Sequence, residues 1–152
     1  MNISKRVSRP LAVATMVPAL AIGAASNAFA DGNVSWRNVA TGKYLMVAQG
    51  TFGMVLTGSD SSARWREVKQ SDGSWQLKAH RGSGNVCLDS NAAGKVYLNP
   101  CGSNNNYQKW WETKTSTGWK ITNKATGRVL DSNSRQQVYT LPDNGGKNQR
   151  WS

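Results

Sequence analysis

The sequence predicts an all-β protein built from three similar units of about 40 residues each. Apolar residues occur in short alternating runs, for example at 96–98 and 119–122, and this is the period of a half-buried strand. Gly, Asn, Asp and Ser cluster between these runs, as they do in turns. After residue 30 no segment sustains the 3.6-residue period of a helix, so we expect helices only as incidental turns.

Internal repeats are the strongest signal in the chain. Asn-Val-Ala-Thr-Gly-Lys-Tyr-Leu at 38–45 has the spacing of Asn-Lys-Ala-Thr-Gly-Arg-Val-Leu at 123–130. Cys-Leu-Asp-Ser-Asn at 87–91 likewise matches Val-Leu-Asp-Ser-Asn at 129–133. Both of these segments are followed at equal spacing by a Tyr and a Pro, and all three units close on a Trp: Tyr97, Pro100, Tyr139, Pro142, Trp65, Trp110 and Trp151.

Three units of this length favour one architecture over another. A propeller closes with typically four to eight blades, which is more than this chain offers. Three four-stranded units around a pseudo-threefold axis form a β-trefoil, in which the closing Trp and the Leu of each unit meet at the axis, because one unit cannot bury its apolar face alone. The repeats are expected at about 34–72, 73–115 and 116–152.

The first 30 residues have the pattern of a secretory signal peptide. Lys5, Arg6 and Arg9 precede an apolar stretch at 11–25, and Ala-Phe-Ala at 28–30 provides a cleavage pattern. The stretch is shorter than the roughly 20 apolar residues of a membrane-spanning helix. We therefore expect a secreted protein without a membrane span, consisting of a single domain over 31–152.

The charge is strongly positive, at +11 for the whole chain and +8 for 31–152. The basic residues are dispersed, with no run longer than two, whereas nucleic-acid interfaces cluster them. This favours a solvated surface, and no nucleic-acid partner is expected. The oligomeric state is left open.

Cys87 and Cys101 are the only cysteines, and in an oxidising compartment they are expected to form a disulfide. Closing this loop stabilises the fold by about 3 kcal/mol. Two thiols and the single His80 fall short of the four ligands of a structural zinc site, so neither a metal nor a cofactor is predicted.

Gln-x-Trp at 108–110 and 149–151 closes units two and three, and three units ending in this way resemble the ricin B-type lectins. The resemblance covers nearly all of 31–152 and is weakest in unit one. It implies a β-trefoil that binds sugar without catalysis. The sequences of units two and three are most similar to members that bind mannose-rich glycans, and other polysaccharides remain open.

A sugar presents vicinal hydroxyls and a face of C–H bonds, so its binder needs a fixed carboxylate, amides and an aromatic ring. Unit three provides Asp131, Tyr139, Leu141 and Asn144 for these roles. Where the most similar members have a Tyr just before Gln-x-Trp, this chain has Asn148, so the site is expected to lack one aromatic wall.

Unit two is predicted to hold a second site, formed by Asp89, Tyr97, Asn104 and Tyr107. Asn99 replaces the Leu, and Gly102 stands where unit three has Asn144, so Asn104 or Asn105 is expected to supply the amide. Gln108 and Gln149 are expected to orient the two aspartates from behind.

Unit one is predicted not to bind sugar. Met46 replaces the Asp, Val55 the Tyr and Ala63 the Gln, so the polar groups are gone.

Structural roles compete with binding roles. Asp-Ser-Asn can cap a turn through its own backbone, in which case the aspartates would be turned inward and closed to water. Trp110 and Trp151 are predicted to belong to the core. Trp75, Trp111 and Trp119 are ambiguous, and an exposed Trp111 could extend a sugar surface.

Catalysis is not expected. Asp89 and Asp131 would face away from each other across the pseudo-threefold axis, and Glu67 and Glu112 show no paired spacing. Two other functions stay open: a targeting subunit with a secreted toxin or enzyme as partner, and a β-trefoil protease inhibitor that presents Arg135 to a trypsin-like protease.

Overall fold

The computed structural model describes residues 32–49, 53–79 and 85–152. The predicted signal peptide (1–30) and His80 lie outside these residues. The strands are β1 (Gly32–Val34), β2 (Tyr44–Val47), β3 (Val55–Gly58), β4 (Trp65–Lys69), β5 (Trp75–Ala79), β6 (Val86–Ser90), β7 (Val96–Pro100), β8 (Trp110–Thr115), β9 (Gly118–Asn123), β10 (Val129–Ser132) and β11 (Val138–Leu141). Two short 3₁₀ helices span Asn106–Gln108 and Lys147–Gln149. In these ranges no helix has the length and hydrophobicity that crossing a bilayer requires.

A barrel and three hairpins make up the fold. The antiparallel order β1-β4-β5-β8-β9 forms the barrel wall, and Trp151 closes it through bridges to Trp119 and Asn38. The hairpins are β2–β3, β6–β7 and β10–β11, one from each unit.

The three hairpins meet around the pseudo-threefold axis through equivalent backbone hydrogen bonds. They run from Leu98 N to Gly53 O (2.8 Å), from Thr140 N to Gly94 O (2.8 Å) and from Thr57 N to Gln136 O (3.0 Å). Each accepting residue has a positive φ, at 82°, 87° and 69° respectively. This cyclic arrangement confirms the predicted β-trefoil, and it aligns the three units residue by residue.

The closing tryptophans belong to the core, as predicted. Their indole N–H groups donate to the carbonyl of a Leu in the same unit: Trp65 to Leu45 (2.9 Å), Trp110 to Leu88 (3.0 Å) and Trp151 to Leu130 (3.1 Å). None of the six side chains is more than 1% exposed. A buried indole with a satisfied N–H fills the core and leaves no polar group without a partner.

The predicted disulfide is confirmed. It joins Cys87 to Cys101 with a Cα–Cα distance of 5.1 Å. Next to it the Cys101 N–H donates to Asn85 O at 3.0 Å. The bond therefore clamps the open end of the β6–β7 hairpin, which carries the unit-two candidate site.

Buried hydroxyl pairs join neighbouring units at two of three equivalent positions. Thr57 Oγ1 lies 3.0 Å from Ser132 Oγ, and Ser90 Oγ lies 3.2 Å from Thr140 Oγ1. The third position has the apolar residues Val47 and Leu98 instead. The fold therefore accepts either two hydroxyls or two apolar groups here.

We expect Ser132→Ala to lower the free energy of unfolding by about 1–3 kcal/mol, because the Thr57 hydroxyl is then left buried without its partner. Adding Thr57→Val should recover part of the loss, since both polar groups are then gone. Urea unfolding of the two single variants and the double variant measures this coupling. Strictly additive losses would show that the pair does not act as a unit.

Candidate functional site

The two predicted site aspartates occupy equivalent places in their hairpins. Asp89 lies on β6 opposite Tyr97 on β7, and Asp131 lies on β10 opposite Tyr139 on β11. Directly opposed residues of an antiparallel pair project from the same face of the sheet. The hairpin therefore explains the constant spacing between Asp and Tyr, and it brings each carboxyl group beside a phenol ring.

Gln108 holds the unit-two carboxylate from behind. Its Nε2 donates to Asp89 Oδ2 at 3.0 Å and to Pro100 O at 2.9 Å. Its Oε1 accepts from the Gly102 N–H at 2.8 Å, and the side chain is fully buried. The 3₁₀ helix Asn106–Gln108, capped by Asn105, places this Gln and the neighbouring Tyr107. The geometry agrees with the predicted orienting role.

Gln149 repeats this arrangement in unit three. Its Nε2 donates to Pro142 O at 3.0 Å, and its Oε1 accepts from the Asn144 N–H at 2.9 Å. Burial raises the pKa of Asp131 above its ordinary value, while hydrogen bonding with Gln149 and Tyr139 opposes that rise. The pKa of Tyr139 is raised by burial and by the nearby Asp131 carboxylate.

Neither carboxylate is open to solvent. Asp89 is 2% exposed and Asp131 is 3% exposed. The Oδ1 atom of each is buried and has no hydrogen-bond partner among the described residues. Both aspartates are therefore closed to water in this conformation, which is the arrangement expected from the structural alternative. A sugar hydroxyl is about as large as the water molecule that cannot reach Oδ1, so binding there requires a covering side chain to move.

Several predicted rim residues surround these carboxylates. Tyr107 is 42% exposed and Leu141 is 36% exposed. Asn104 is exposed in the turn before the first 3₁₀ helix. Asn99, which replaces the Leu in unit two, donates its Nδ2 to Asp89 Oδ2 at 3.4 Å. Both sites therefore keep an exposed apolar or aromatic side chain at the surface.

Two predicted amide ligands are used within the protein. Asn148 donates its Nδ2 to Ser132 O at 2.6 Å, so its amide is turned towards the backbone. Asn144 is exposed, but its Oδ1 accepts from the Gly146 N–H at 2.8 Å. One N–H of Asn148 therefore serves the backbone, its second N–H and its Oδ1 have no such bond among the described residues, and its role as a sugar ligand stays a prediction.

Unit one lacks the polar groups, but one assigned replacement was wrong. The residue opposite Met46 is Leu56, which therefore stands in place of the tyrosines. Val55 is buried and corresponds to Val96 and Val138 beside the axis. The sequence comparison was displaced by one residue because the turn between β2 and β3 differs in length from the other two.

The tryptophans whose role the sequence left open are covered on one face by a Lys ammonium group. Lys124 Nζ lies 5.8 Å from the Trp111 ring, Lys69 Nζ lies 5.3 Å from the Trp75 ring, and Lys114 Nζ lies 4.9 Å from the Trp119 ring. Cation–π contacts of this kind hold the lysines on the rings. Trp111, although 37% exposed, is therefore not a bare platform for sugar.

Arg135, on which the inhibitor hypothesis depends, is exposed in the turn between β10 and β11. It borders a cavity of ≈ 930 Å³ around the pseudo-threefold axis.

Glu67 on β4 and Glu112 on β8 form a carboxyl pair that the sequence prediction missed. Each lies two residues after a closing Trp, and this repeated Trp-x-Glu was the available signal. Burial raises the pKa of both, and the charge and hydrogen bond of Glu67 raise the pKa of Glu112 further, to about 9. The absence of paired spacing in the sequence does not keep them apart, because pairing of strands across units brings them together.

This pair is not a glycosidase site. Catalytic carboxyl groups of glycosidases stand roughly 5 Å or more apart to hold the sugar between them. Glu67 and Glu112 lie close enough for each to change the pKa of the other, and Glu67 is only 8% exposed. No cluster of three or more His, Cys, Asp or Glu that could hold a metal occurs in the described ranges.

We expect the carboxyl pair to make the fold less stable as the pH rises. Glu112 keeps its proton in the folded state up to about pH 9, whereas its ordinary pKa is 4.5, so the folded state binds more protons in between. Stability is therefore greatest below the ordinary pKa and falls as pH rises towards 9. Thermal unfolding of Glu112→Gln should match that of the unaltered protein at pH 4 and exceed it increasingly up to pH 9.

Glu67→Gln should act in the same direction, because either amide removes the second negative charge. Parallel pH profiles for the unaltered protein and both variants would contradict the interpretation that Glu67 raises the pKa of Glu112.

Comparisons with known proteins agree with this architecture. The model of the ricin-type β-trefoil lectin domain matches residues 32–151. The designed threefold-symmetric protein ThreeFoil is 26% identical, with a TM-score of 0.68 over 80% of this chain and 96% of that chain. An endo-β-galactosidase from Clostridium perfringens is 20% identical (TM-score 0.66; 79% of this chain, 31% of that chain). The Haemophilus ducreyi cytolethal distending toxin is 13% identical (TM-score 0.65; 78% and 80%). A ricin-type lectin domain is a carbohydrate-binding, non-catalytic module. Because the family model matches most of this chain, the chain belongs to that family.

Proposed function

We propose that this protein is a secreted lectin that binds mannose-rich glycans or another polysaccharide through units two and three. One arrangement supports these two sites above all: units two and three each place an Asp directly opposite a Tyr on the neighbouring strand, and unit one has Met46 opposite Leu56 instead. In both sites one Asp oxygen is buried without a partner in the described part of the chain. A buried acceptor without a partner costs roughly 1–3 kcal/mol. A sugar hydroxyl that donates to Oδ1 would recover this cost.

The remaining groups supply the other contacts. Gln108 keeps Asp89 in place, so the carboxylate does not have to be reordered when a sugar arrives. The ring of Tyr97 or Tyr139 offers a face for sugar C–H bonds, and its phenol offers a polar contact. Because both carboxylates are covered, opening must accompany binding and consumes part of the binding energy.

Single sites of this kind should be weak, with a Kd on the order of 1 mM or about −4 kcal/mol. Two sites on one rigid domain raise the apparent affinity for a multivalent glycan by about 10²-fold or more. The preference for mannose is supported by the resemblance of units two and three to the repeats of actinohivin. Asn148 departs from that pattern, so unit three should bind more weakly or prefer a different sugar.

Secretion is supported by the signal pattern of the first 30 residues and by the disulfide. Disulfides persist in oxidising compartments such as the cell exterior.

A second candidate function is that of a targeting module for a toxin or enzyme partner. It is favoured by the endo-β-galactosidase, of which this chain covers only 31%. Recovery of a catalytic or toxic partner from the medium on immobilised protein would support it, and recovery of the domain alone would count against it.

The test is glycan-array binding of the secreted protein and of Asp89→Asn, Asp131→Asn and the double variant. Each single variant should lose one site and bind a dense glycan about 10²-fold more weakly, since avidity is lost. The double variant should not bind at all. The matched control is Met46→Leu at the equivalent position of unit one, which should bind like the unaltered protein.

Thermal unfolding separates ligand contact from a structural role. Small shifts in Tm together with lost binding support the lectin sites. Unchanged binding by a folded double variant would exclude these aspartates, and an unfolded double variant would assign them to the turns instead.

A further inference from the structure

A groove of ≈ 510 Å³ lies between units two and three, next to the unit-two site. It is bordered by Tyr107 on one side and by residues 125–128 and Pro142 on the other. Its volume falls within the ~300–1,000 Å³ of small-molecule sites.

Tyr107 connects the groove to the unit-two site. Tyr107 directly precedes Gln108, whose Nε2 donates to Asp89 Oδ2 at 3.0 Å, so the chain places this ring next to the unit-two carboxylate. The pKa of Tyr97 is raised by burial and further by Asp89 and Tyr107, in agreement with this placement. The 42% of Tyr107 that is exposed also forms part of the groove wall. A saccharide bound at Asp89 could therefore continue past this ring into the groove.

The groove contains a fixed donor group. Arg128 donates through Nε and Nη2 to Thr140 O at 3.2 Å and 3.0 Å, which holds its guanidinium in place. A guanidinium has five N–H donors, so these bonds use only part of its capacity.

The groove also contains a fixed acceptor group. Asp143 accepts from the Gly145 N–H at 3.1 Å and pairs with Lys120 at 2.9 Å. The hydrogen bond from Lys120 lowers the pKa of Asp143, which keeps this carboxylate ionised. Fixed donors and acceptors at one surface suit hydroxyl groups, which do both, better than an ion of either sign. The Tyr107 and Pro142 rings add apolar surface for C–H bonds.

The equivalent surface of unit three differs at two positions, which hold Asn148 and Lys43 instead of Tyr107 and Arg128. Asn148 occupies the position of Tyr107. Asn38 Nδ2 donates to Asn148 O at 2.7 Å, and Asn123 Nδ2, at the equivalent position, donates to Tyr107 O at 2.8 Å. Asn148 has no aromatic ring, and its side chain is bonded to Ser132 O. In the matching segments 38–45 and 123–130, Lys43 stands at the position of Arg128, so the surface next to unit three has a Lys where the groove next to unit two has an Arg.

We propose that this groove is a subsite for a second, neutral sugar residue, so that unit two recognises an oligosaccharide of at least two residues and unit three a single residue. This inference rests on the proposed function, because the first sugar residue is the one bound beside Asp89.

The test uses the ¹⁵N-labelled secreted protein with defined saccharides, followed by amide chemical shifts. The probes are methyl α-mannoside against the α-1,2-, α-1,3- and α-1,6-linked mannobioses, and methyl β-galactoside against lactose. At unit two, one disaccharide should bind about tenfold more tightly than its monosaccharide, which corresponds to 1.4 kcal/mol. The amides of residues 125–128 and Asp143 should shift with that disaccharide alone.

A matched pair of variants tests the groove itself. Ala92 is exposed and lines the groove, and it takes no part in the hydrogen bonds that hold Asp89. Ala92→Met should therefore fill the groove and reduce the disaccharide affinity to that of the monosaccharide. Ser134→Met, at the equivalent exposed turn position of unit three, should leave unit-two affinity unchanged.

The outcomes separate this inference from the proposed function. Equal affinity for monosaccharides and disaccharides, with shifts confined to the surroundings of Asp89 and Tyr97, would overturn the subsite and leave the lectin sites standing. The subsite is likewise excluded if Ala92→Met binds disaccharides like the unaltered protein. If no probe shifts any amide around Asp89, the proposed unit-two site fails and the subsite fails with it.

Discussion

The hydrogen bond from each closing Trp to a Leu carbonyl is the constraint on which the rest of the structure depends. It fixes the core, and it also fixes the site, because the Leu is followed directly by the site position and the Gln stands two residues before the Trp. In unit two, Leu88 places Asp89 while Trp110 places Gln108. The hydrogen bond of the buried Trp110 indole thus brings Asp89 and Gln108 together.

Unit one has the same Trp–Leu hydrogen bond but different side chains at the site positions. Met46, Leu56 and Ala63 occupy the positions of the Asp, Tyr and Gln, yet Trp65 makes the same bond to Leu45. Backbone geometry is therefore independent of the binding groups. A trefoil can lose or alter one site without losing its fold, and this independence allows units two and three to differ in their rims.

The covered carboxylates connect stability to function. Each Oδ1 is buried without a partner within the described ranges, which costs free energy in the unbound state. Local opening of the rim exposes that acceptor to a sugar hydroxyl, which removes the cost. The rim residues Tyr107 and Leu141 are exposed, whereas Gln108 and Gln149 are fully buried and stay in place.

The sequence by itself determined the three units, the β-trefoil, the disulfide and the orienting role of Gln108, because these follow from repeated spacings and from contacts within one unit. Tertiary structure alone decided that Asp89 and Asp131 are covered, that Asn148 is bonded to Ser132, and that Glu67 meets Glu112. These features depend on the burial of individual atoms and on contacts between distant strands. Residue spacing within a repeat does not determine either, because exposure and cross-unit pairing arise only when the three units pack around their common axis; the repeated Trp-x-Glu marks equivalent positions but does not show that they meet.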